Sequence, residues 1–167
     1  MHELHALTDL DRGITVNVGL ISGGQSVNTV APWAEGQIDL RYVTPADRDE
    51  VMGKIEAIIA RSSVPGTSAT LEIKGEFMPL VQSAEAKRLF ELYVASAAET
   101  GFVTAGEFTG GCADSGFTAA MGAPTICAVG PVGGKAHSPE EFLRLDSLVA
   151  RAQACARAIE RLEAAGF

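Results

Sequence analysis

Alternation of apolar and polar positions predicts strands in the first half of the chain. Residues 14–21 (ITVNVGLI) and 34–42 (AEGQIDLRY) alternate apolar with small or polar side chains, which is the period of a half-buried strand. In the second of these, Ile38 and Leu40 share one face. Residues 69–75 (ATLEIKG) repeat the pattern and predict a third strand.

The apolar spacing changes to a helical period over residues 45–61. Thr44 precedes this segment as an N-cap, with proline at the first helical position and acids in the first turn. Residues 1–7 read as the last turns of another helix. The apolar stripe of the 45–61 helix consists of Val51, Ile55, Ile58 and Ile59.

The second half also alternates helices and short strands, which favours an α/β layer. The predicted elements are a helix over 84–100, a strand over 102–105, a short helix over 116–121, a strand over 125–129 and a final helix opened by Asp146 and Ser147 that runs to about residue 164. The first half, with three strands and one and a half helices, looks like an incomplete lobe.

Composition places the chain among globular proteins and excludes several classes of partner. Apolar residues make up 47% of the 167 residues and charged residues 20%. A net charge of −8 with scattered basic residues argues against nucleic acid. No apolar run is long enough to span a bilayer, and the N-terminus has no signal-peptide core. We expect neither a nucleic-acid nor a membrane partner.

The three cysteines are too few for a disulfide framework or a four-thiolate zinc site. A reduced, cytoplasmic setting fits them best. Cys127 lies within the apolar run PTICAVG, so we expect it to be a small buried hydrophobe.

Candidate chemistry concentrates in residues 110–142, where glycines flank a histidine. His137 lies in GGKAHSPEEF. Glycines beside a histidine suggest that the backbone approaches a ligand closely, because glycine has no Cβ to block the approach. A neutral imidazole on such a loop is a common metal ligand, and Glu140 or Glu141 could orient the ring. The alternative is a surface-loop histidine. Asp114, in GGCAD, is expected to act as an N-cap for the following helix.

Asn28 and Arg41 form a second candidate pair, thirteen residues apart. A guanidinium binds a carboxylate through two hydrogen bonds, and an amide adds a neutral donor. The loop between them must bend if both are to meet one ligand. The alternative is a turn asparagine and an exposed strand arginine paired with Asp39 or Glu35.

Other histidines and glycine pairs predict no further site. His2 and His5 lack the H-E-x-x-H spacing of a metalloprotease helix, so we interpret them as part of a frayed helix end. Neither a nucleophile elbow nor a nucleotide-binding glycine pattern is present.

Residues 1–162 resemble the C-terminal part of the zinc-dependent aminoacylase/carboxypeptidase family, which includes glutamate carboxypeptidase, acetylornithine deacetylase and succinyl-diaminopimelate desuccinylase. The resemblance implies that His137 is a metal ligand and that Asn28 and Arg41 hold the substrate carboxylate. Asp114 would shape the wall of the metal site. The family's metal-binding box is matched by Gly133, Gly134, His137, Ser138, Pro139, Glu140 and Glu141.

The resemblance also implies an α/β (α+β) fold and a partner. Residues 1–78 would be an N-terminally truncated dimerisation (lid) domain, an incomplete ferredoxin-like lobe of antiparallel strands with helices on one face. Residues 79–167 would be the C-terminal strand–helix part of a zinc-hydrolase catalytic domain. The family forms homodimers and cleaves amide bonds of N-acyl amino acids or peptides with two zinc ions.

Most of that machinery is expected to lie outside this sequence. The family's other metal ligands, its catalytic glutamate and its oxyanion histidine belong to segments that precede residue 1. We therefore expect the isolated chain to be inactive, because a catalytic zinc needs about three protein ligands. The alternative is a non-catalytic homodimerisation or small-carboxylate-binding module. Glutamate-selective members place an arginine just after the last strand of the smaller domain. Here that stretch reads GEFMPLV, with Glu76 and no arginine, which leaves the substrate side chain open.

Overall fold

The chain folds as a mixed α+β protein in two compact units. The computed structural model describes all residues, 1–167. The first unit comprises Met1–Pro79 with Gly110–Cys112, and the second comprises Leu80–Thr109 and Ala113–Phe167. Helices and two small antiparallel sheets make up the regular structure, which confirms the predicted α+β class.

The first unit contains a hairpin and two helices. Its elements are α1 (His2–His5), β1 (Thr15–Gly23), β2 (Ala34–Arg41) and α2 (Pro45–Ala60). β1 and β2 pair antiparallel, with a bulge between Val18 and Leu20. The two strands form the whole sheet, so the outer edge of each has no ladder partner within the chain. Both predicted strands and the predicted helix are confirmed, with ends shifted by one or two residues.

One face of this sheet packs against the helices to form the core of the first unit. The alternating positions of β1 and β2 face α1 and α2, as the sequence pattern predicted. The fully buried members are Leu4, Ile14, Val16, Val51 and Ile55, and the partly buried ones include Val18, Ile38, Leu40, Ile58 and Ile59.

A capping box fixes the start of α2. The Thr44 hydroxyl accepts a hydrogen bond from the Asp47 amide at 3.2 Å, and the Asp47 carboxylate accepts one from the Thr44 amide at 3.2 Å. The predicted N-cap is therefore confirmed. Arg12, from the turn before β1, donates to Asp47 at 2.5 Å and to Glu50 at 2.9 Å. This contact ties that turn to the first turns of α2.

The ion pairs of Glu50 make the stability of the first unit depend on pH. Hydrogen bonds from Arg12 and Lys54 lower the pKa of Glu50 to about 2, from a usual value of 4.5. A lowered folded-state pKa stabilises above pH 4.5, and the contribution is lost as the pH falls toward 2. We expect Glu50→Gln to lower the urea midpoint at pH 7, with the difference closing toward pH 2.

A matched control is Glu56→Gln on the same helix, which removes a carboxylate that makes no ion pair. Urea unfolding of the three proteins between pH 7 and pH 2 measures the effect. A Glu50→Gln difference that stays constant across this range would show that the ion pairs do not stabilise the unit.

The third predicted strand, over residues 69–75, does not form. This segment has no ladder hydrogen bonds, and Leu71 and Ile73 remain 37% and 56% exposed. Its alternating pattern suits a pleated surface, but a strand exists only where a neighbouring strand completes its hydrogen bonds. In this chain the sheet ends with β1 and β2.

The second unit is built around two packed helices. Its elements are α3 (Ala84–Ala98), α4 (Ser115–Ala120), β3 (Gly133–Gly134), β4 (Phe142–Leu143) and α5 (Leu145–Glu160). The small side chains of Ala97 and Ala154 are fully buried where α3 and α5 meet, which lets the helices approach closely. The remaining core residues are Tyr93 and Ala158.

Three expectations for the second unit are wrong, and a fourth, the cap at Asp114, holds only in its position. Residues 102–105 and 125–129 form no strands, because Phe102, Ile126 and Val129 pack against the α3–α5 core instead of pairing with other strands. Cys127 points away from that core and is exposed, not buried. Asp114 occupies the N-cap position of α4, but its side chain makes no capping hydrogen bond.

Candidate functional site

His137 lies in the loop of a short hairpin that the sequence analysis did not predict. Gly133 and Gly134 of β3 pair with Leu143 and Phe142 of β4, and residues 135–141 connect them. Within this loop the Ser138 amide donates to the Lys135 carbonyl at 3.2 Å, and the Ser138 hydroxyl donates to the same oxygen at 2.8 Å. The turn before β4 is closed by the Glu141 amide, which donates to the Ser138 carbonyl at 3.1 Å.

The backbone around His137 adopts an uncommon conformation. His137 and Lys135 have φ values of 64° and 56°, in the left-handed region that side chains other than glycine rarely occupy. Such residues cost about 1–3 kcal/mol each and cluster at functional sites, where the surrounding structure enforces them. The side chain of His137 is exposed, and its imidazole makes no hydrogen bond within the chain. Both ring nitrogens are therefore available to a ligand.

The acidic residues beside His137 do not orient its ring. The carboxylate of Glu141 accepts a hydrogen bond from the His137 backbone amide at 3.4 Å, and the Glu140 amide donates to the Ser138 hydroxyl at 3.3 Å. These contacts shape the loop. Neither carboxylate bonds to the imidazole, so the expected orienting role for Glu140 or Glu141 is not seen in the structure.

The two glycines of β3 are required by the packing of Phe142. A Cβ added at Gly133 would lie 2.6 Å from the Phe142 carbonyl oxygen, and one at Gly134 would lie 2.9 Å from the Phe142 ring. Contacts this short do not occur between real atoms without movement. The close approach predicted from these glycines is therefore present within the chain, where the approaching group is Phe142, and approach to a ligand stays a prediction.

The first turns of α5 hold the segment that enters the hairpin. The Arg144 amide donates to the Val132 carbonyl at 2.8 Å, and the Val132 amide donates to the Ser147 hydroxyl at 2.9 Å. Further along the helix, Arg151 donates to the carbonyls of Gly130 and Ala128, each at 2.5 Å. The hairpin base is therefore tied to a long helix.

The chain supplies one plausible ligand for a metal ion and not a complete site. No group of three or more His, Cys, Asp or Glu side chains is arranged to hold a metal. A protein zinc site needs three or four such ligands. The free imidazole of His137 fits a single position in a zinc site, so no chemical step through a metal follows from these residues.

Asn28 lies in the loop that joins β1 to β2. The Ser26 hydroxyl donates to the Asn28 side-chain oxygen at 2.9 Å and contacts the Thr29 hydroxyl at 2.8 Å. All three side chains are exposed. Asn28 is therefore an exposed side chain in a loop that contacts among its own residues hold together.

Arg41 is the last residue of β2 and pairs with an acid on its own strand. Its Nε donates to the Asp39 carboxylate at 2.9 Å, and its Nη1 donates to the Gly110 carbonyl at 3.3 Å. The hydrogen bond to Asp39 raises the pKa of Arg41 further above its ordinary value. The contact with Asp39 is the one that the sequence analysis gave as the alternative to substrate binding.

The structure does not bring Asn28 and Arg41 together. Arg41 pairs with Thr15, whereas the loop of Asn28 begins beyond the Gly23–Ala34 pair at the opposite end of the hairpin. The eight residues of β2 separate these ends by about 23 Å. No hydrogen bond joins the two side chains, and the loop would have to fold back along β2 for both to reach one ligand.

A third cluster, centred on Glu76, was missed by sequence reasoning. Arg48 of α2 donates to the Glu76 carboxylate through Nε at 2.7 Å and Nη2 at 3.0 Å, and the Tyr42 hydroxyl donates to it at 2.8 Å. These hydrogen bonds lower the pKa of Glu76. The pKa of Tyr42 is raised to about 12, mainly by desolvation and secondly by its hydrogen bond to Glu76. Because 28 residues separate Arg48 from Glu76, no local pattern signals the pair.

The Glu76 cluster docks a segment that lacks regular structure. The Tyr42 hydroxyl also lies 3.0 Å from the Phe77 carbonyl, so the cluster holds both backbone and side chain of residues 76–77 against the start of α2. The Glu76 carboxylate itself accepts hydrogen bonds from Arg48 and Tyr42.

The first unit is an α+β lobe whose sheet has two open edges. A hairpin with two open edges, covered on one face by α1 and α2, is an α+β lobe suited to pairing with another sheet. It carries no assembled catalytic group. None of the helices in the structure is both long and apolar enough to cross a membrane.

Comparison with protein families gives a match over this lobe. Residues 1–67 match the family model of the peptidase dimerisation domain. The match supports the resemblance to the C-terminal part of the aminoacylase/carboxypeptidase family and suggests a relative of peptidases and amidohydrolases. It also supports a homodimer. None of the curated proteins compared with the chain matches it.

Proposed function

We propose that this chain is the C-terminal part of a cytoplasmic di-zinc amidohydrolase or metallopeptidase that cleaves amide bonds of N-acyl amino acids or peptides. The observation that carries the proposal is the order of two features along one chain. A peptidase dimerisation domain over residues 1–67 is followed by the GGKAHSPEEF box, whose His137 presents an unbonded imidazole on a hairpin loop.

Within this proposal the chain has two parts. Residues 1–78 form the dimerisation (lid) domain, and residues 79–167 form the C-terminal segment of the catalytic domain. His137 supplies one ligand to a site that holds two zinc ions in the complete enzyme. Zinc bound there would polarise the scissile carbonyl and activate a water molecule.

Asn28 and Arg41 are proposed to bind the carboxylate of the substrate. Arg41 can release Asp39 for a ligand at little cost, because both side chains of that ion pair are more than half exposed and such pairs stabilise weakly. A planar guanidinium then offers two parallel donors to the incoming carboxylate. Since the hairpin holds Asn28 at its other end, the two residues reach one carboxylate only if the loop folds back or a partner subunit supplies one of them.

The residues present predict that the isolated chain neither retains zinc nor hydrolyses substrate. One histidine coordinates a zinc ion too weakly to survive dialysis, because a stable protein site uses three or four ligands. We expect the purified chain to contain no stoichiometric zinc after exhaustive dialysis and to leave a panel of N-acyl amino acids uncleaved. Elemental analysis of the chain and of His137→Ala measures the first point.

A longer polypeptide tests the assignment of His137 itself. Where a segment with H-x-D and E-E signals precedes residue 1, we expect two zinc ions per chain and amide hydrolysis, with zinc content and activity both reduced by His137→Ala. His5→Ala is the matched control, since His5 lies at the end of α1 and should leave both unchanged. Stoichiometric zinc in the isolated chain that His137→Ala removes would refute the inactive-chain proposal.

A second candidate function is a non-catalytic module that pairs with a second copy of the chain. The observation that favours it is the two-stranded sheet, whose outer edges present unpaired backbone donors and acceptors. We expect the isolated chain to be a dimer at micromolar concentration, measured by light scattering behind size exclusion. A monomer at every accessible concentration would reject the module, whereas the zinc measurements on the longer polypeptide decide whether catalysis accompanies pairing.

A further inference from the structure

Arg151, on α5, is a charged side chain buried in the core of the second unit. It is 8% exposed, and its hydrogen bonds go to the carbonyl oxygens of Gly130 and Ala128. Its guanidinium also lies over the rings of Phe102, at 4.6 Å, and Tyr93, at 5.9 Å. An apolar side chain usually fills such a position with less desolvation cost. The arginine therefore calls for an explanation beyond core packing.

Ser147, one helical turn before Arg151, holds the same segment from a second point. Its hydroxyl accepts from the Val132 amide at 2.9 Å and donates to the Arg144 carbonyl at 2.7 Å. The Arg144 amide closes the contact by donating to the Val132 carbonyl. Together Arg151 and Ser147 bind every second residue of the run 128–132, which is the run that enters β3 and forms no strand ladder of its own.

The strained backbone of the unit lies in this run and in the hairpin loop that follows it. Ala128, Lys135 and His137 are the non-glycine residues of the chain with positive φ, and all three lie within ten residues of one another. Such conformations persist only where neighbouring contacts enforce them. Ala128 is enforced directly, because its carbonyl receives the Arg151 hydrogen bond.

We propose that Arg151 and Ser147 are positioning residues that fix the base of the β3–β4 hairpin and thereby hold His137 in its left-handed conformation. The planar guanidinium suits this role because its donors reach two carbonyls in one plane, which a lysine cannot do. The proposal rests on the proposed function only for what His137 binds. The positioning itself involves no metal.

Nuclear magnetic resonance of the 167-residue chain tests the proposal with Arg151→Met, which keeps the volume and removes every donor. The one-bond Cα–Hα coupling reports the sign of φ at Ala128 and His137. We expect both residues to lose the positive-φ signature in the variant. Amide exchange of Val132 and Arg144 should rise about tenfold, the effect of losing a hydrogen bond to a charged group, while α3 amides keep their rates.

Two further variants separate positioning from general packing. Arg157→Met, on the same helix, removes an arginine that pairs with Glu99 at 3.0 Å on the surface, and it should leave the hairpin signals unchanged. Arg151→Lys keeps the charge but reaches one carbonyl, so a partial loss is expected. If Arg151→Met does not fold, Ser147→Ala tests the positioning role in its place, because it removes the acceptor of the Val132 amide without opening the core.

Two results would overturn the proposal. One is a positive φ at His137 that survives both Arg151→Met and Ser147→Ala. The other is an exchange increase spread evenly over α3 and α5, which would make Arg151 an ordinary core residue. The hairpin can loosen as expected while the zinc content of a longer polypeptide does not depend on His137. That combination would refute the proposed function and leave the positioning role intact.

Discussion

Replacing Ile55 by alanine is expected to destabilise the first unit by about 2–5 kcal/mol. Ile55 is 2% exposed and lies on the stripe of α2 that faces the sheet, among only five fully buried core residues. A small core has few other contacts to compensate for a cavity. Since small domains have total stabilities near the lower end of about 5–15 kcal/mol, the variant should be substantially unfolded in dilute urea.

The single tryptophan, Trp33, lies in the first unit at the start of β2 and reports its unfolding by fluorescence. Far-ultraviolet circular dichroism adds the helical signal of both units. The matched control is Ile73→Ala, because Ile73 belongs to the same unit and is 56% exposed. Equal effects of the two substitutions would contradict the core assigned to α2 and the sheet.

The second large effect is expected for Gly133→Ala in the hairpin. The added Cβ would lie 2.6 Å from the Phe142 carbonyl oxygen, which is backbone and cannot rotate away as a side chain can. Overpacking of this kind costs about 1–3 kcal/mol. We expect the β3–β4 pairing to open, and the positive φ of His137 to be lost with it.

Gly130→Ala provides the control, because a Cβ at that position meets no atom within 4 Å and its carbonyl can still accept from Arg151. Amide exchange of Gly134 and Leu143, compared between the two variants and the parent chain, measures the pairing. Protection retained in Gly133→Ala would show that the glycines are not required by Phe142. In that case a ligand would again become the explanation for them.

The helices could be predicted from the sequence because their hydrogen bonds are local. Helical hydrogen bonds and caps join residues that are a few positions apart in the sequence. The apolar pattern and the capping residue are therefore enough to predict a helix, as they do for α2 with Thr44 and for α3. The strands β1 and β2 were also predicted. They are joined by one loop, so each finds its partner nearby in the chain.

The predicted strands over 69–75, 102–105 and 125–129 failed for the opposite reason. An alternating or apolar run records only that a segment suits a sheet, and the partner that completes its hydrogen bonds lies elsewhere. Residues 125–129 instead lie against the α3–α5 core, where Arg151 donates to the carbonyl of Ala128 and to that of the following Gly130. The sequence of residues 125–129 does not indicate that an arginine side chain, and not a partner strand, binds this segment.

The site residues stay predictions, and the geometry around them was not foreseen. The glycines of the box around His137 were interpreted as room for a ligand, whereas within the chain they make room for Phe142. The pairing of Asn28 with Arg41 came from the resemblance to the aminoacylase/carboxypeptidase family. Register, which no spacing reveals, puts them at opposite ends of one hairpin.

The open edges of the β1–β2 sheet have a thermodynamic consequence. Each outer edge carries amide and carbonyl groups that bond to water in a monomer and to another strand in an assembly. Only folded chains associate in this way. Mass action therefore couples the folding equilibrium to the association equilibrium. We therefore expect the melting temperature of the first unit to rise with protein concentration, and a dilution series would measure how tightly two copies associate.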